Sequence, residues 1–97
     1  MFEIRLTPEA VEDLGSYGKR DRKRIMDQIE ACLRDEPWRE TRNNKVLRPN
    51  QTAERELRID HFRVFYDVNS EDEVVKIVAV GHKSGNRLHI GGEEFEL

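Results

Sequence analysis

Polar and apolar residues alternate from the first position, with Phe2, Ile4 and Leu6 separated by Glu3 and Arg5. A period of two predicts a short strand with one buried face. Thr7-Pro8-Glu9 follows. A threonine hydroxyl caps a helix well, proline suits the first helical position, and glutamate complements the helix dipole. Ala10, Val11, Leu14 and Tyr17 then share one face at helical spacing, and Gly15 and Gly18 end the helix near Tyr17. Asp21 offers a second N-cap. Ile25, Met26, Ile29, Cys32 and Leu33 fall on one helical stripe, which predicts an amphipathic helix over 22–35 that Pro37 stops. So short a link between helices predicts a hairpin. Residues 36–53 lack periodicity and contain Pro37, Asn43, Asn44, Pro49 and Asn50, so they read as loop.

The period of two then returns. Leu57 and Ile59 alternate with Glu56 and Arg58, and Val64, Tyr66 and Val68 alternate with Arg63, Phe65 and Asp67. Asn69 to Asp72 reads as a turn, and Val74 to Val80 as a central strand ended by Gly81. Leu88, Ile90, Phe95 and Leu97 are assigned to a final short strand or tail. The expected architecture is one α+β domain over residues 1–97, in the order β-α-α-β-β-β. Its N-terminal helical hairpin packs on one face of a mainly antiparallel four-stranded sheet. The other face is expected to be partly open and polar, carrying Glu56, Arg58 and Arg63.

Charge changes this picture more than composition does. The 97 residues carry 17 basic and 20 acidic side chains, a net charge of −3, which at first argues against a polyanionic partner. The charge is unevenly spread. Residues 1–50 hold 11 basic and 10 acidic side chains, residues 51–97 hold 6 and 10, and the tail from Glu93 has three acids and no base. Lys19, Arg20, Arg22, Lys23 and Arg24 form one basic cluster; Arg42, Lys45 and Arg48 form another. Local field, not total charge, steers a protein to phosphate. Cys32 is the only cysteine, so an intrachain disulfide and a cysteine-rich zinc site are excluded. At its place on the helical stripe it reads as a small core residue rather than a nucleophile. No apolar run is long enough for a membrane helix and no signal peptide is visible, which leads to a cytoplasmic expectation.

Candidate chemistry gathers in two places. Arg63, mid-strand, can present a planar fork of donors to a phosphate or can pair with Glu56. Gly81-His82-Lys83-Ser84-Gly85-Asn86-Arg87-Leu88-His89 follows the central strand and offers imidazole, ammonium and guanidinium groups within nine residues. Such groups bind a phosphodiester, stabilise its transition-state charge and move protons near neutral pH, although a solvated loop has the same composition. The glycines there lack the spacing of a phosphate-cradling loop, and His61, His82 and His89 lack a metal-ligand spacing, so neither metal nor cofactor is expected. The Lys19–Arg24 cluster reads equally as an RNA-backbone contact and as a solvated helix start.

The order of elements, the segment Leu57 to Val68 and the strand end Val80-Gly81-His82-Lys83 together resemble the RelE/ParE superfamily of bacterial toxins, the toxin halves of type II toxin–antitoxin modules. The resemblance implies a cognate antitoxin and, for the RelE-like branch, a metal-independent endoribonuclease that enters the ribosomal A site. There the ribose 2′-OH of the mRNA attacks the adjacent phosphate. Arg63 would then stabilise the phosphate with Lys83, His89 or His82 would donate a proton, and Glu56 would accept one. Lys45, Arg48, Arg58 and Arg87 would join Lys19, Arg20, Arg22, Lys23 and Arg24 in holding RNA or ribosome. Relatives often carry lysines where Glu54 and Glu56 stand here. The same resemblance leaves two alternatives: a ParE-like inhibitor of DNA gyrase, and a non-catalytic antitoxin-binding relative.

Overall fold

The computed structural model describes residues 1–95. Along the chain run β1 (Glu3–Leu6), α1 (Pro8–Gly15), α2 (Lys19–Leu33), β2 (Asn44–Val46), β3 (Arg55–Ile59), β4 (Phe62–Asn69), β5 (Val74–Ser84), β6 (Arg87–Ile90) and β7 (Glu93–Phe95). The expected α+β class holds: two helices lie on one face of a mostly antiparallel sheet. The sheet has seven strands rather than four, in the order β2-β3-β4-β5-β6-β7, with β1 parallel to β5. Leu97 lies outside the described residues.

Local chemistry explains most boundaries. Thr7 caps α1, its Oγ1 accepting from the Ala10 N–H at 3.1 Å, with Pro8 at the first helical position. The second helix starts at Lys19 behind Gly18, with Asp21 in its first turn instead of at its cap, so the basic cluster is helical throughout. Its buried stripe is Ile25, Ile29 and Leu33, spaced four apart. Cys32 falls off that stripe and is exposed, which corrects its expected place in the core. Burial of its neighbourhood raises the thiol pKa, opposite to what an activated nucleophile needs.

Strand β2 is too short and polar to announce itself. It is held from behind: the Tyr66 hydroxyl sits between the Pro37 carbonyl, 2.8 Å away, and the Asn44 side-chain oxygen, and Thr41 bridges back to Asn44. Burial pushes the Tyr66 phenol up to about 12.

The eleven-residue β5 organises the rest. Its first half pairs with β1 (Glu3↔Val74 to Leu6↔Ile77), and its end pairs with β6 (Gly81↔Ile90 to Ser84↔Arg87). Between these partners a polar plug satisfies the ladder: Val80 N–H donates to Asp13 Oδ2 at 3.1 Å, and Thr7 Oγ1 donates to the Val78 carbonyl at 3.3 Å. A bulge sits at the same place. Phe65 pairs with Ala79 but Tyr66 pairs with Ile77, leaving Val78 unmatched. One extra residue reverses the alternation of a strand. Val75 and Ile77 therefore join the helix-side core with Val80, an even-numbered residue, while Ala79 joins a second cluster on the opposite face.

That second cluster refines the expected open face. Phe65, Ala79, Leu88, Ile90 and Ala53 form a small apolar floor there, with Leu47 and Val78 against it. The remaining surface of this face is a trough, walled on one side by the 45–50 segment and on the other by β6 and β7.

Candidate functional site

Strand register assigns each candidate to a face, because directly opposed residues point the same way. Arg63 opposes Arg58 and Gly81; Glu56 opposes Lys45 and the floor residue Phe65; Lys83 opposes the floor residue Leu88. Arg63, Arg58, Glu56, Lys45 and Lys83 thus share the trough face. Ile59, Phe62, His82, His89 and Glu94 form one cross-sheet row on the helix face. The bulge decides this split. Without it, Lys83 would follow Val75 and Ile77 onto the helix side.

The trough is a cleft of about 530 Å³. Lys45, Arg48, Arg58 and Lys83 surround it, Glu56 lies in its floor, and Asn50 and Asn86 add amides. Among the described residues, four cations around one carboxylate make a local positive field in a chain of net charge −3. Glu56 is almost wholly buried. Its Oε2 is 3.2 Å from Arg58 Nε and its Oε1 is 3.7 Å from Arg63 Nε.

Arg63 is more confined than an exposed strand arginine. Its Nη1 donates to the carbonyls of Asp60 and Phe62, both at 2.8 Å, and its Nε is buried without a hydrogen-bond partner. Burial pulls its pKa below the ordinary value, Glu56 opposes that shift and Arg58 adds to it. The guanidinium remains charged, as arginine does in proteins. It braces the β3–β4 hairpin, where Asp60 takes the left-handed φ of 55°. Arg58 is the freer of the pair, with its side chain 39% exposed against 12% for Arg63.

A second cleft of about 410 Å³ adjoins the first and shares Arg58 with it. Arg24, Arg42 and Arg63 also line it, together with Gln28, Asn43 and Asp60. Arg24 reaches it from α2 through an ion pair with Asp60 at 3.2 Å.

The histidines sit elsewhere. On the helix face His82 Nδ1 is 2.7 Å from the Tyr17 hydroxyl, and the His82 and His89 rings stack with centroids 5.2 Å apart. His61 lies at the edge of this group, 6.3 Å from His82 between centroids. Burial, then His89 and His61, lower the His82 pKa, which favours the neutral ring. Among the described residues no group of three ligating side chains is placed to hold a metal ion.

The candidates named from sequence therefore separate. Arg63, Lys83, Glu56, Lys45, Arg48 and Arg58 come together, whereas His82 and His89 are on the reverse face of the sheet. Arg87 also faces that way and pairs with Glu94 at 3.4 Å. Lys19, Arg20, Arg22 and Lys23 stay on the helical layer, with Arg22 donating to the Tyr17 carbonyl at 2.7 Å and Lys23 pairing with Asp27 at 2.8 Å. Of the basic cluster on α2, Arg24 lines the second cleft. The structure adds Arg42, Asn50 and Asn86; Arg42 stands in a basic stretch of the sequence and Asn86 in the polar stretch after β5, while Asn50 reads from sequence only as a loop residue. No helix among the described residues is long and apolar enough to cross a membrane.

Comparison with known proteins places this geometry in a family. The family model for the ParE toxin of type II toxin–antitoxin systems matches residues 4–87. Among solved structures, the toxin–antitoxin complex RelBE2 from Mycobacterium tuberculosis is similar, at 26% identity and a TM-score of 0.73, over 84% of this chain and 98% of that one. An archaeal RelE–RelB complex from Pyrococcus horikoshii shares the fold at 21% identity and a TM-score of 0.68, over 87% of this chain and 97% of that one. A search of curated protein sequences finds no match. With the family model matching residues 4–87, the chain belongs to the ParE toxin family of type II toxin–antitoxin systems, within the RelE/ParE superfamily.

Proposed function

We propose that this toxin acts on RNA, as a ribosome-dependent, metal-independent mRNA endoribonuclease that binds a phosphodiester in the trough. The observation that carries the reading is the convergence of Lys45, Arg48, Arg58 and Lys83 on one cleft whose floor holds a buried carboxylate. Cations fixed on strands stabilise the charge that develops on a phosphorane without rearranging during the reaction. In this reading Glu56 accepts the ribose 2′-OH proton. The 2′-oxygen then bonds to phosphorus, the bond to the 5′-oxygen breaks, and Lys83 gives a proton to that leaving oxygen. The products are a 2′,3′-cyclic phosphate and a free 5′-OH. The low total charge agrees with action in a docked context rather than on free RNA.

A cognate antitoxin is part of this proposal, because both similar structures are toxin–antitoxin complexes. An antitoxin segment that neutralises the toxin by this mechanism has to cover the trough.

The second reading is inhibition of DNA gyrase without RNA cleavage. It is favoured by one observation: the imidazoles of His82 and His89 are on the reverse face, so the trough has no histidine acid. Inducible expression with pulse-labelling separates the two. The RNase reading predicts that protein synthesis stops first while DNA remains intact. DNA damage and filamentation with translation continuing would replace it with the gyrase reading, and expression without growth arrest would sink both.

A further inference from the structure

We propose that the arginine notch beside the trough is a second phosphate site, which takes a neighbouring phosphate of the same RNA strand and shares Arg58 with the first site. The inference rests on the RNA reading above and adds the path of the strand. Four elements converge on the notch: Arg24 from α2, Arg42 from the loop before β2, Arg58 from β3 and Arg63 from β4. All four arginines line one cleft of about 410 Å³, where Asp60 is the only carboxylate among the described residues.

The electrostatics of this arrangement ask for an anion. Asp60 is already engaged with Arg24, and Glu56 lies on the trough side between Arg58 and Arg63. Arg42 is exposed and makes no ion pair among the described residues. Arg63 is desolvated, has a buried Nε without a hydrogen bond, and faces Arg58 directly across the β3–β4 ladder. Like charges directly opposed on a ladder are destabilising. A phosphate between them converts that repulsion into charge-assisted hydrogen bonds, for which a planar fork of donors is well suited. The braced Arg63 also has a fixed orientation, so less side-chain entropy is lost when an anion binds.

Arg58 makes the two clefts one track. It lines the notch with Arg42 and Arg63, and the trough with Lys45 and Lys83. Its side chain is the more exposed of the two arginines paired with Glu56. A strand crossing the trough is thereby led over the hairpin edge toward α2. Donors to phosphate position a strand without reading its bases, so the notch contributes register and affinity and no sequence preference.

The test measures binding of a short fluorescent single-stranded RNA by anisotropy across a salt series. Wild type is compared with Arg42→Ala, Lys83→Ala and the remote surface variant Lys76→Ala. Each phosphate contact in a single strand contributes about 0.7 to the slope of log affinity against log salt. Arg42→Ala should weaken binding several-fold, equally for different sequences, and lower the slope by about one contact. Lys83→Ala should do the same from the other cleft, the two effects should add, and Lys76→Ala should change neither. Among the described residues Arg42 makes no side-chain hydrogen bond or ion pair, so its loss leaves the fold intact; a thermal melt checks this. Loss of affinity in Lys83→Ala with an unchanged Arg42→Ala would overturn the notch and keep the RNA reading. If wild type binds no free RNA even at the lowest salt, the notch is overturned as an RNA site, while the RNA reading, which calls for a docked context, stands or falls with cleavage on programmed ribosomes. In that case a titration with inorganic phosphate, read from the arginine Nε–H signals, shows whether the notch holds a free anion instead.

Discussion

Replacing Arg63 by alanine should unfold the protein more readily than it weakens RNA binding, and Arg58→Ala should do the reverse. Truncating Arg63 removes two 2.8 Å hydrogen bonds to the Asp60 and Phe62 carbonyls and one 3.7 Å ion pair to buried Glu56. Hydrogen bonds to charged groups contribute about 1.5–3 kcal/mol each, and water entering the vacated space recovers part of that. Glu56 keeps Arg58 as a partner. The net cost is about 2–4 kcal/mol, which in a domain of this size lowers Tm by roughly 10–25 °C. Arg58→Ala removes a single ion pair from a side chain that is 39% exposed. Such pairs contribute about 0–1 kcal/mol. Thermal unfolding followed by circular dichroism, with RNA anisotropy on the same samples, gives both numbers. Lysine at 63 should not restore stability, because an ammonium cannot span the hairpin carbonyls and Glu56 together. An Arg63→Ala melt within about 3 °C of wild type would refute the bracing role, as would Arg58→Ala being the more destabilised of the two.

Other consequences are open to direct measurement. A Cβ at Gly81 would meet the His89 carbonyl and stand 2.8 Å from Ile90 Cγ1, so Gly81→Ala should separate β5 from β6 and lose amide protection at Leu88 and Ile90 in hydrogen exchange. Unchanged protection there contradicts the pairing. His82 has a folded pKa below its ordinary 6.5, so the unfolded chain binds its proton more readily. Stability should fall as pH drops through about 6.5 toward the lowered folded value, and His82→Gln should flatten that slope; a wild-type melt independent of pH across that window opposes it. Both tyrosines are shifted upward by burial, Tyr66 to about 12. Ultraviolet titration should show Tyr66 un-ionised at pH 10 and less ionisation there than two free phenols would give while the fold persists, and a normal titration would rule out the buried Tyr66 anchor.

The sequence was most legible where one residue type has one physical use. Thr7-Pro8-Glu9 marks a helix start because cap, ring and charge agree, and the apolar runs of β4 and β5 can only be central strands. The basic residues of the trough were also legible, since Lys45, Arg48, Arg58 and Lys83 were all singled out by charge. What stayed hidden depends on contacts between distant segments. β2 exists because Tyr66 anchors Asn44 from across the core, and three residues with no pattern of their own cannot show that. The separate β6 and β7 are joined at Gly91 and Gly92, both at positive φ, a turn signal that the sequence did contain. The bulge at Val78 was invisible: an uninterrupted apolar run looks the same with or without it, yet it decides which face receives Lys83 and which receives His82. Proximity along the chain had grouped His82, Lys83 and His89. The pleat separates them.

The central claim is that the chemistry belongs to the trough and not to the histidine face. Purified toxin added to programmed ribosomes, with mRNA ends mapped and their termini identified, tests it when Arg58→Ala and Lys83→Ala are run beside His89→Ala. The account predicts A-site cleavage leaving a 2′,3′-cyclic phosphate and a 5′-OH, lost in the two trough variants and retained in His89→Ala. Cleavage abolished by His89→Ala and untouched by Arg58→Ala and Lys83→Ala, or no cleavage by the wild type, would contradict it.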